Sequence, residues 1–249
     1  MSEMLLPPPP DLLDGAALFL DFDGTLVELA ETPDSISVPD HLHPLLDRLG
    51  STLTGSLAII SGRAISDLER YLGALPIAVS GSHGLELRTA EGQMGPVPAP
   101  ATLAVARDEI RQFAADAPGI IVEDKPASIA LHYRGAPERE ADAVALAGGL
   151  AARTGLTVQA GKMVVELRPA GADKGDALRR LMAEPAFANK RPVFVGDDLT
   201  DEHAFVAARE MGGAGVLVGP SRETAAAWRL DDVAAVAAWL MAVTGGVRG

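Results

Sequence analysis

Residues 16–20 form an uninterrupted apolar run that stops at Asp21-Phe22-Asp23-Gly24-Thr25. A short apolar run bounded by charge and glycine reads as a strand buried on both faces, as in a parallel sheet covered by helices. The spacing of Leu42, Leu45, Leu46 and Leu49 predicts a helix over 39–49. Residues 56–60 read as the next buried strand, ending at Ser61-Gly62-Arg63, and 64–72 as a helix. A strand over 77–79 then runs into Ser80-Gly81-Ser82-His83-Gly84. Strand–helix–strand alternation is the pattern of a parallel α/β sheet.

The periodicity then changes. Residues 92–100 are rich in proline and glycine and read as a linker. A helix over 102–117, strands over 119–124 and 128–134, a helix over 138–153, and strands over 156–159 and 163–167 follow. Helix, strand, strand, helix, strand, strand suits a small antiparallel sheet with helices on one face. The α/β pattern resumes with a helix at 174–184, a strand at 192–195 ending in Gly196-Asp197-Asp198, a helix at 201–209, a strand at 214–218 and a helix at 231–243. The expected fold is therefore a Rossmann-like α/β core, residues 1–101 and 171–249, with an inserted α+β domain at 102–170. The linkers near 92–100 and 170–172 are candidate hinges. Trp228 and Trp239 stand in helical contexts and read as packing residues, and His41 and His43 as helix-surface residues.

Composition narrows the chemistry. The chain has 249 residues and 48% hydrophobic content, enough for a sizeable core. A formal charge of -13 argues against a nucleic-acid partner and means that an anionic substrate needs a local positive field. With no cysteine, thiol chemistry, cysteine-ligated metals and disulfides are excluded. Pro7 to Pro10 sit in an N-terminal stretch that reads as an extended lead-in rather than a signal peptide, and no apolar run is long enough to span a membrane. A cytoplasmic, monomeric protein with no membrane contact is the expectation.

Candidate chemistry collects at three strand ends: Asp21 and Asp23, Ser61, and Asp197 and Asp198. Singly, each reads as a turn or helix-cap residue. Four carboxylates at two strand ends of one sheet repel one another unless a cation joins them, and hard oxygen donors suit Mg²⁺. Asp21, Asp23, Asp197 and Asp198 are the candidate ligands. A carboxylate can act as a nucleophile, and a second acid two residues later, on the same side of an extended chain, can serve as acid and then base. Gly24, Thr25, Ser61, Gly62 and Lys174 are candidates for holding phosphoryl oxygens alongside the two acids.

Asp21-x-Asp23-Gly24-Thr25, Ser61, Lys174 and Gly196-Asp197-Asp198, in that order, resemble the four motifs of the haloacid dehalogenase superfamily. That resemblance implies a core of haloacid dehalogenase type with an inserted cap, and Asp23 points to phosphoester hydrolysis or phosphomutase chemistry. Ser61-Gly62-Arg63, Ser80-Gly81-Ser82-His83-Gly84-x-Glu86, Glu123-Asp124-Lys125, Leu131-His132-Tyr133-Arg134, Gly161-Lys162-Met163-Val164-Val165-Glu166-x-Arg168-Pro169, Asp173-Lys174-Gly175 and Gly196-Asp197-Asp198-x-Thr200-Asp201-Glu202 further resemble the trehalose-6-phosphate phosphatases, over residues 17–219. Most members of that family carry a proline near position 28, where this chain has Glu28. On composition alone, Glu123, Lys125, Lys162 and Glu166 read as solvated hairpin charges. The resemblance instead assigns these four to the sugar ring distal to the phosphate. His132 and Arg134 share one strand face and could meet Glu123 or phosphate, His83 and Glu86 follow a strand end and are expected to line the cleft, and Arg63 is a further candidate substrate contact. The resemblance implies a Mg²⁺-dependent phosphatase acting through an aspartyl-phosphate, and allows association with a trehalose-6-phosphate synthase. A phosphatase for another sugar phosphate, such as sucrose phosphate or mannosylphosphoglycerate, and a non-catalytic phosphosugar-binding subunit are the alternatives.

Overall fold

The computed structural model describes residues 5–30, 35–95, 101–161, 163–170 and 173–245. The chain divides into two compact units, Met1–Gly95 with Asp173–Gly249, and Pro96–Ala172. The inserted unit thus begins a few residues before position 102. Lys162 and parts of both linkers, residues 96–100 and 171–172, lie outside the described residues.

In the larger unit, β1 (Ala16–Leu20), β2 (Leu57–Ile60), β3 (Ala78–Gly81), β4 (Glu86–Arg88), β9 (Arg191–Gly196), β10 (Ala214–Val218) and β11 (Trp228–Leu230) form one sheet in the order β11-β10-β9-β1-β2-β3-β4. All pairings are parallel except β3 with β4. Alternation along β1 sends Leu18 and Leu20 to one face and Ala17 and Phe19 to the other. The first pair packs in a core with Leu45, Leu46 and Leu49 of α1 (Leu42–Thr52), Leu68 of α2 (Ile65–Leu72) and Val236 and Leu240 of α7 (Val233–Gly245). The second packs with Leu178 and Leu181 of α5 (Lys174–Met182) and Phe205 of α6 (Glu202–Glu210). Helices cover both faces, which is why β1 is apolar without a break.

Two strands depart from the sequence reading. Trp228 lies in β11, paired to β10 through Val216, and not in a helix. The polar look of Glu86 and Arg88 hides β4 from a sequence reading, yet both side chains are buried and held by contacts from other segments. Glu86 accepts from Ile65 N and Ser82 Oγ, and Arg88 reaches Glu69 and the Leu75 carbonyl.

The inserted unit contains α3 (Ala101–Ala115), α4 (Glu140–Thr154) and an antiparallel sheet in the order β5-β6-β8-β7, from β5 (Ile121–Asp124), β6 (Ile129–His132), β7 (Leu156–Gly161) and β8 (Val164–Pro169). Ile129, Leu131, Val165 and Leu167 face the helices and form its core with Leu103, Ile110, Ala147 and Leu150. The opposite face carries a register row of Glu123, Ala130, Glu166 and Gln159. One apolar and one polar face is the half-solvated pattern of an antiparallel sheet. Among the described residues of either unit, no helix is long and apolar enough to cross a membrane.

Candidate active site

The register of the larger sheet brings three strand ends together. Leu20 of β1 is level with Ile59 of β2 and Val195 of β9, so Asp21, Ser61 and Asp197 leave adjacent strands at one edge. This is where open α/β sheets hold their ligands. Asp21 N–H donates to the Val195 carbonyl at 2.9 Å and fixes the first residue past the strand.

Lys174 supplies the local positive field. Asp173 caps α5, accepting from Asp176 N–H at 2.8 Å, and so sets Lys174 at the first helical position. Lys174 Nζ lies 2.8 Å from Asp21 Oδ1 and 2.5 Å from Asp201 Oδ1, with all three side chains buried. Burial works against the lysine's charge, but attraction to Asp21 and Asp201 outweighs it and holds the pKa above its ordinary value. Burial pushes the Asp21 carboxyl well above its usual range, only partly opposed by Lys174. Asp197 is pushed up to about 6, first by burial and then by the charge of Asp201.

One carboxylate oxygen from each of Asp21, Asp197 and Asp201 falls within a span of 4.8 Å, a grouping that could hold a metal ion. Two buried polar atoms of this region, Asp197 Oδ1 and Thr25 Oγ1, have no hydrogen-bond partner within the protein. Unsatisfied buried oxygens are costly unless a ligand or ion completes them. The donor set fits a hard divalent cation at Asp197 and a phosphoryl oxygen at Thr25.

The glycines of the site contribute space. Gly24 has φ +75°, and a Cβ there would overlap the Asp197 carboxylate. Its N–H is bonded to the Val27 carbonyl at 2.8 Å, so it is not the spare phosphate donor the sequence suggested. A Cβ on Gly62 would lie 2.7 Å from the His83 ring. Ser82 and His83 both adopt left-handed backbone, φ 50° and 54°, and their N–H groups bond the Arg63 and Ser61 carbonyls at 2.7 and 3.0 Å. The Ser61–Arg63 turn is therefore gripped by the segment after β3. Ser61 Oγ accepts from Arg63 N–H at 3.1 Å.

Other expected residues sit differently. Arg63 makes a two-pronged pair with Asp23, Nε to Oδ2 at 2.7 Å and a terminal nitrogen to Oδ1 at 2.8 Å. Glu86 is buried with both oxygens engaged, bracing the start of α2 rather than lining an open cleft. Asp198 is not in the carboxylate group. Its side chain accepts from Leu199 N–H and caps a 3₁₀ turn, while its own N–H donates to Asp201 Oδ2 at 2.9 Å.

Sequence reasoning missed Asp201 and Arg222. The spacing of Asp198 and Asp201 is that of a capping box, a signal that could have found Asp201. Arg222 donates to the carbonyls of Asp197 and Asp198 at 3.3 and 2.9 Å and pairs with Glu202, clamping the turn that carries Asp197. No local pattern flags it.

On the polar face of the inserted unit, Glu123 accepts a hydrogen bond from His132 at 2.9 Å when that ring nitrogen carries the proton. This bond, more than Lys125, lowers the Glu123 pKa against the effect of burial. Lys125 Nζ lies 3.7 Å from Glu123 and 3.6 Å from Glu166, and Ser128 donates to Glu166 at 2.5 Å. Arg134 is exposed in the turn beyond β6, off the strand that carries His132. The arrangement is a cluster of donors and acceptors on one sheet face, suited to a ligand rich in hydroxyls.

The comparisons agree with this picture. The family model described as trehalose-phosphatase matches residues 19–234. The chain is 40% identical over 210 residues to a probable trehalose-phosphate phosphatase of Sinorhizobium fredii, covering 84% of this chain and 79% of that one. It is 38% identical over 239 residues to the trehalose-6-phosphate phosphatase of Escherichia coli, covering 94% and 89%. The C-terminal domain of the Candida albicans trehalose-6-phosphate phosphatase superposes with a TM-score of 0.76 at 26% identity, over 97% of this chain and 98% of that one.

Proposed function

The chain belongs to the trehalose-phosphatase family, and on that footing we propose that it hydrolyses trehalose 6-phosphate to trehalose and phosphate. The observation that carries this reading is the strand-end cluster of Asp21, Asp197 and Asp201 around Lys174, beside the unpartnered Thr25 hydroxyl.

Asp21 attacks phosphorus through its carboxylate, and the bond from phosphorus to the sugar oxygen breaks. Asp23 gives that oxygen a proton as trehalose leaves. Asp23 then takes a proton from water, which opens the acyl phosphate on Asp21 and frees phosphate. One carboxylate thus serves both half-reactions. Lys174 neutralises the transferring oxygens, and the hydroxyls of Thr25 and Ser61 donate to them. Asp21, Asp197, Asp201 and the Asp23 carbonyl would hold a Mg²⁺ ion, with Asp198 supporting Asp201 from the capping box. When bound, that ion offsets the negative charge gathered on the carboxylates and the phosphoryl group.

Substrate choice falls to the polar face of the inserted unit, where Glu123, Lys125, His132 and Glu166 hold the sugar, together with Lys162 and Arg134. His83 braces the Ser61 turn that faces the phosphate. An enzyme that makes trehalose 6-phosphate must supply the substrate, and a synthase is the partner this reading expects.

Phosphate release with Mg²⁺ tests the reading. The wild type is expected to release phosphate from trehalose 6-phosphate and Asp21→Asn is not. Equal release by both removes Asp21 as nucleophile. In a panel of sugar phosphates, equal turnover of unrelated substrates sinks the assignment to trehalose. Lys162→Ala is expected to reduce turnover of trehalose 6-phosphate far more than that of a small phosphoester.

A further inference from the structure

The pair between Arg63 and Asp23 is built with more care than a surface ion pair. Two parallel N–H···O bonds of 2.7 and 2.8 Å engage both oxygens of Asp23, which fixes the plane of the carboxylate as well as its position. The guanidinium is itself held. It stacks 5.9 Å from the Phe22 ring and 5.5 Å from the Tyr71 ring, and those rings stack on each other at 6.5 Å. The Arg63 backbone is fixed by its N–H to Ser61 Oγ and by Ser82 N–H to its carbonyl. Behind it, Glu86 anchors Ile65 N–H. The side chain is thus set by packing on Phe22, the residue between the two acids, and by a turn gripped from β3 and β4.

We propose that Arg63 is the positioning residue for Asp23, aiming its carboxyl at the leaving oxygen, rather than a contact to the sugar. The inference rests on the phosphatase reading above, in which Asp23 protonates the departing alkoxide. The two-pronged pair is the ionised form of Asp23. In the leaving step Asp23 carries a proton on one oxygen, which turns from Arg63 to the bridging oxygen and passes that proton there as the phosphorus–oxygen bond breaks. Asp23 regains a proton from the attacking water. The other oxygen stays on the guanidinium, so the carboxyl pivots about a fixed point. A side chain left without that anchor samples several rotamers, and the proton is delivered from only some of them.

The test separates leaving groups. An alkoxide needs the proton, whereas p-nitrophenolate leaves without it. Values of kcat/KM report the steps through departure of the leaving group, before water attacks. They would be measured for trehalose 6-phosphate, n-butyl phosphate and p-nitrophenyl phosphate, with the wild type, Arg63→Lys and Arg63→Met. Arg63→Met is expected to lose about 10²-fold on both alkyl esters, the lower range of general-acid catalysis, and at least tenfold less on p-nitrophenyl phosphate. Arg63→Lys, which keeps one donor, is expected to recover part of the loss on both alkyl esters. Ratios between substrates within one preparation do not depend on how much of the variant is folded. A loss confined to trehalose 6-phosphate would make Arg63 a sugar contact and overturn the proposal. An equal loss on all three esters would make its role structural and also overturn it. Failure of the wild type to turn over trehalose 6-phosphate while hydrolysing butyl phosphate would strike the substrate reading and leave the comparison of the two simple esters to decide Arg63.

Discussion

Lys174 Nζ lies 2.5 Å from Asp201 Oδ1 with both side chains buried, and the same ammonium reaches Asp21 Oδ1 at 2.8 Å. One cation therefore pairs with the proposed nucleophile and with a second buried carboxylate at once. Lys174→Met strands two buried carboxylates. It is expected to destabilise the protein by about 3–5 kcal/mol, the penalty for breaking a buried pair. Urea unfolding of the wild type and the variant measures this, and a change near zero would show that the carboxylates find another partner.

Gly24 and Asp197 constrain each other. Because a Cβ at Gly24 would overlap the Asp197 carboxylate, and because φ there is +75°, Gly24→Ala must move one of them. Backbone strain alone is expected to lower stability by about 1 kcal/mol, with displacement of Asp197 adding to it. The wild type is expected to show a thermal shift on adding Mg²⁺ and the variant is not. An undiminished shift would mean that Asp197 does not hold the ion.

The Asp197 carboxyl, raised to about 6 from an ordinary 3.8, gives a pH dependence of definite sign. The folded protein binds this proton more tightly than the unfolded chain. The stability from this group is therefore full below about pH 4 and is lost as pH rises through about 6. In EDTA, Asp197→Asn is expected to raise Tm by roughly 2–4 °C at pH 7.5, on the order of 1 kcal/mol, and by less at pH 5. With Mg²⁺ the order reverses at pH 7.5, because only the wild type gains binding energy. A fall in Tm for Asp197→Asn in EDTA at pH 7.5 would contradict the desolvated-charge account.

Lys125 holds Glu123 and Glu166 together on the polar face of the inserted unit. Lys125→Met is expected to reduce kcat/KM for trehalose 6-phosphate by about 10–100-fold, the worth of a hydrogen bond to a charged group, and to leave p-nitrophenyl phosphate within about threefold. Steady-state kinetics on the two substrates decide it, and parallel losses would place Lys125 in the fold of the unit rather than in sugar recognition.

Apolar runs and the charges that end them are enough to place the strands that build the site and the residues at their ends. An unbroken apolar run such as Ala16–Leu20 has one stable home, a strand covered on both faces, and charge or glycine marks where it stops. The same local logic started a helix at Lys174 and set the hairpins of the inserted unit by alternation. Tertiary structure alone decided the partners. Arg63 meets Asp23 across 40 positions, Lys174 meets Asp201 across 27, and Arg222 clamps Asp198 across 24. Such pairs follow from strand order and register, which bring distant segments to one sheet edge and leave no trace in local periodicity. The same cause placed Trp228 on an edge strand and buried Glu86 as a brace, since the start of α2, 21 residues away, and the turn after β3 satisfy the carboxylate that would otherwise demand water. Hydrophobic pattern sets where the chain may be buried, and the geometry of the assembled sheet sets which charges meet there.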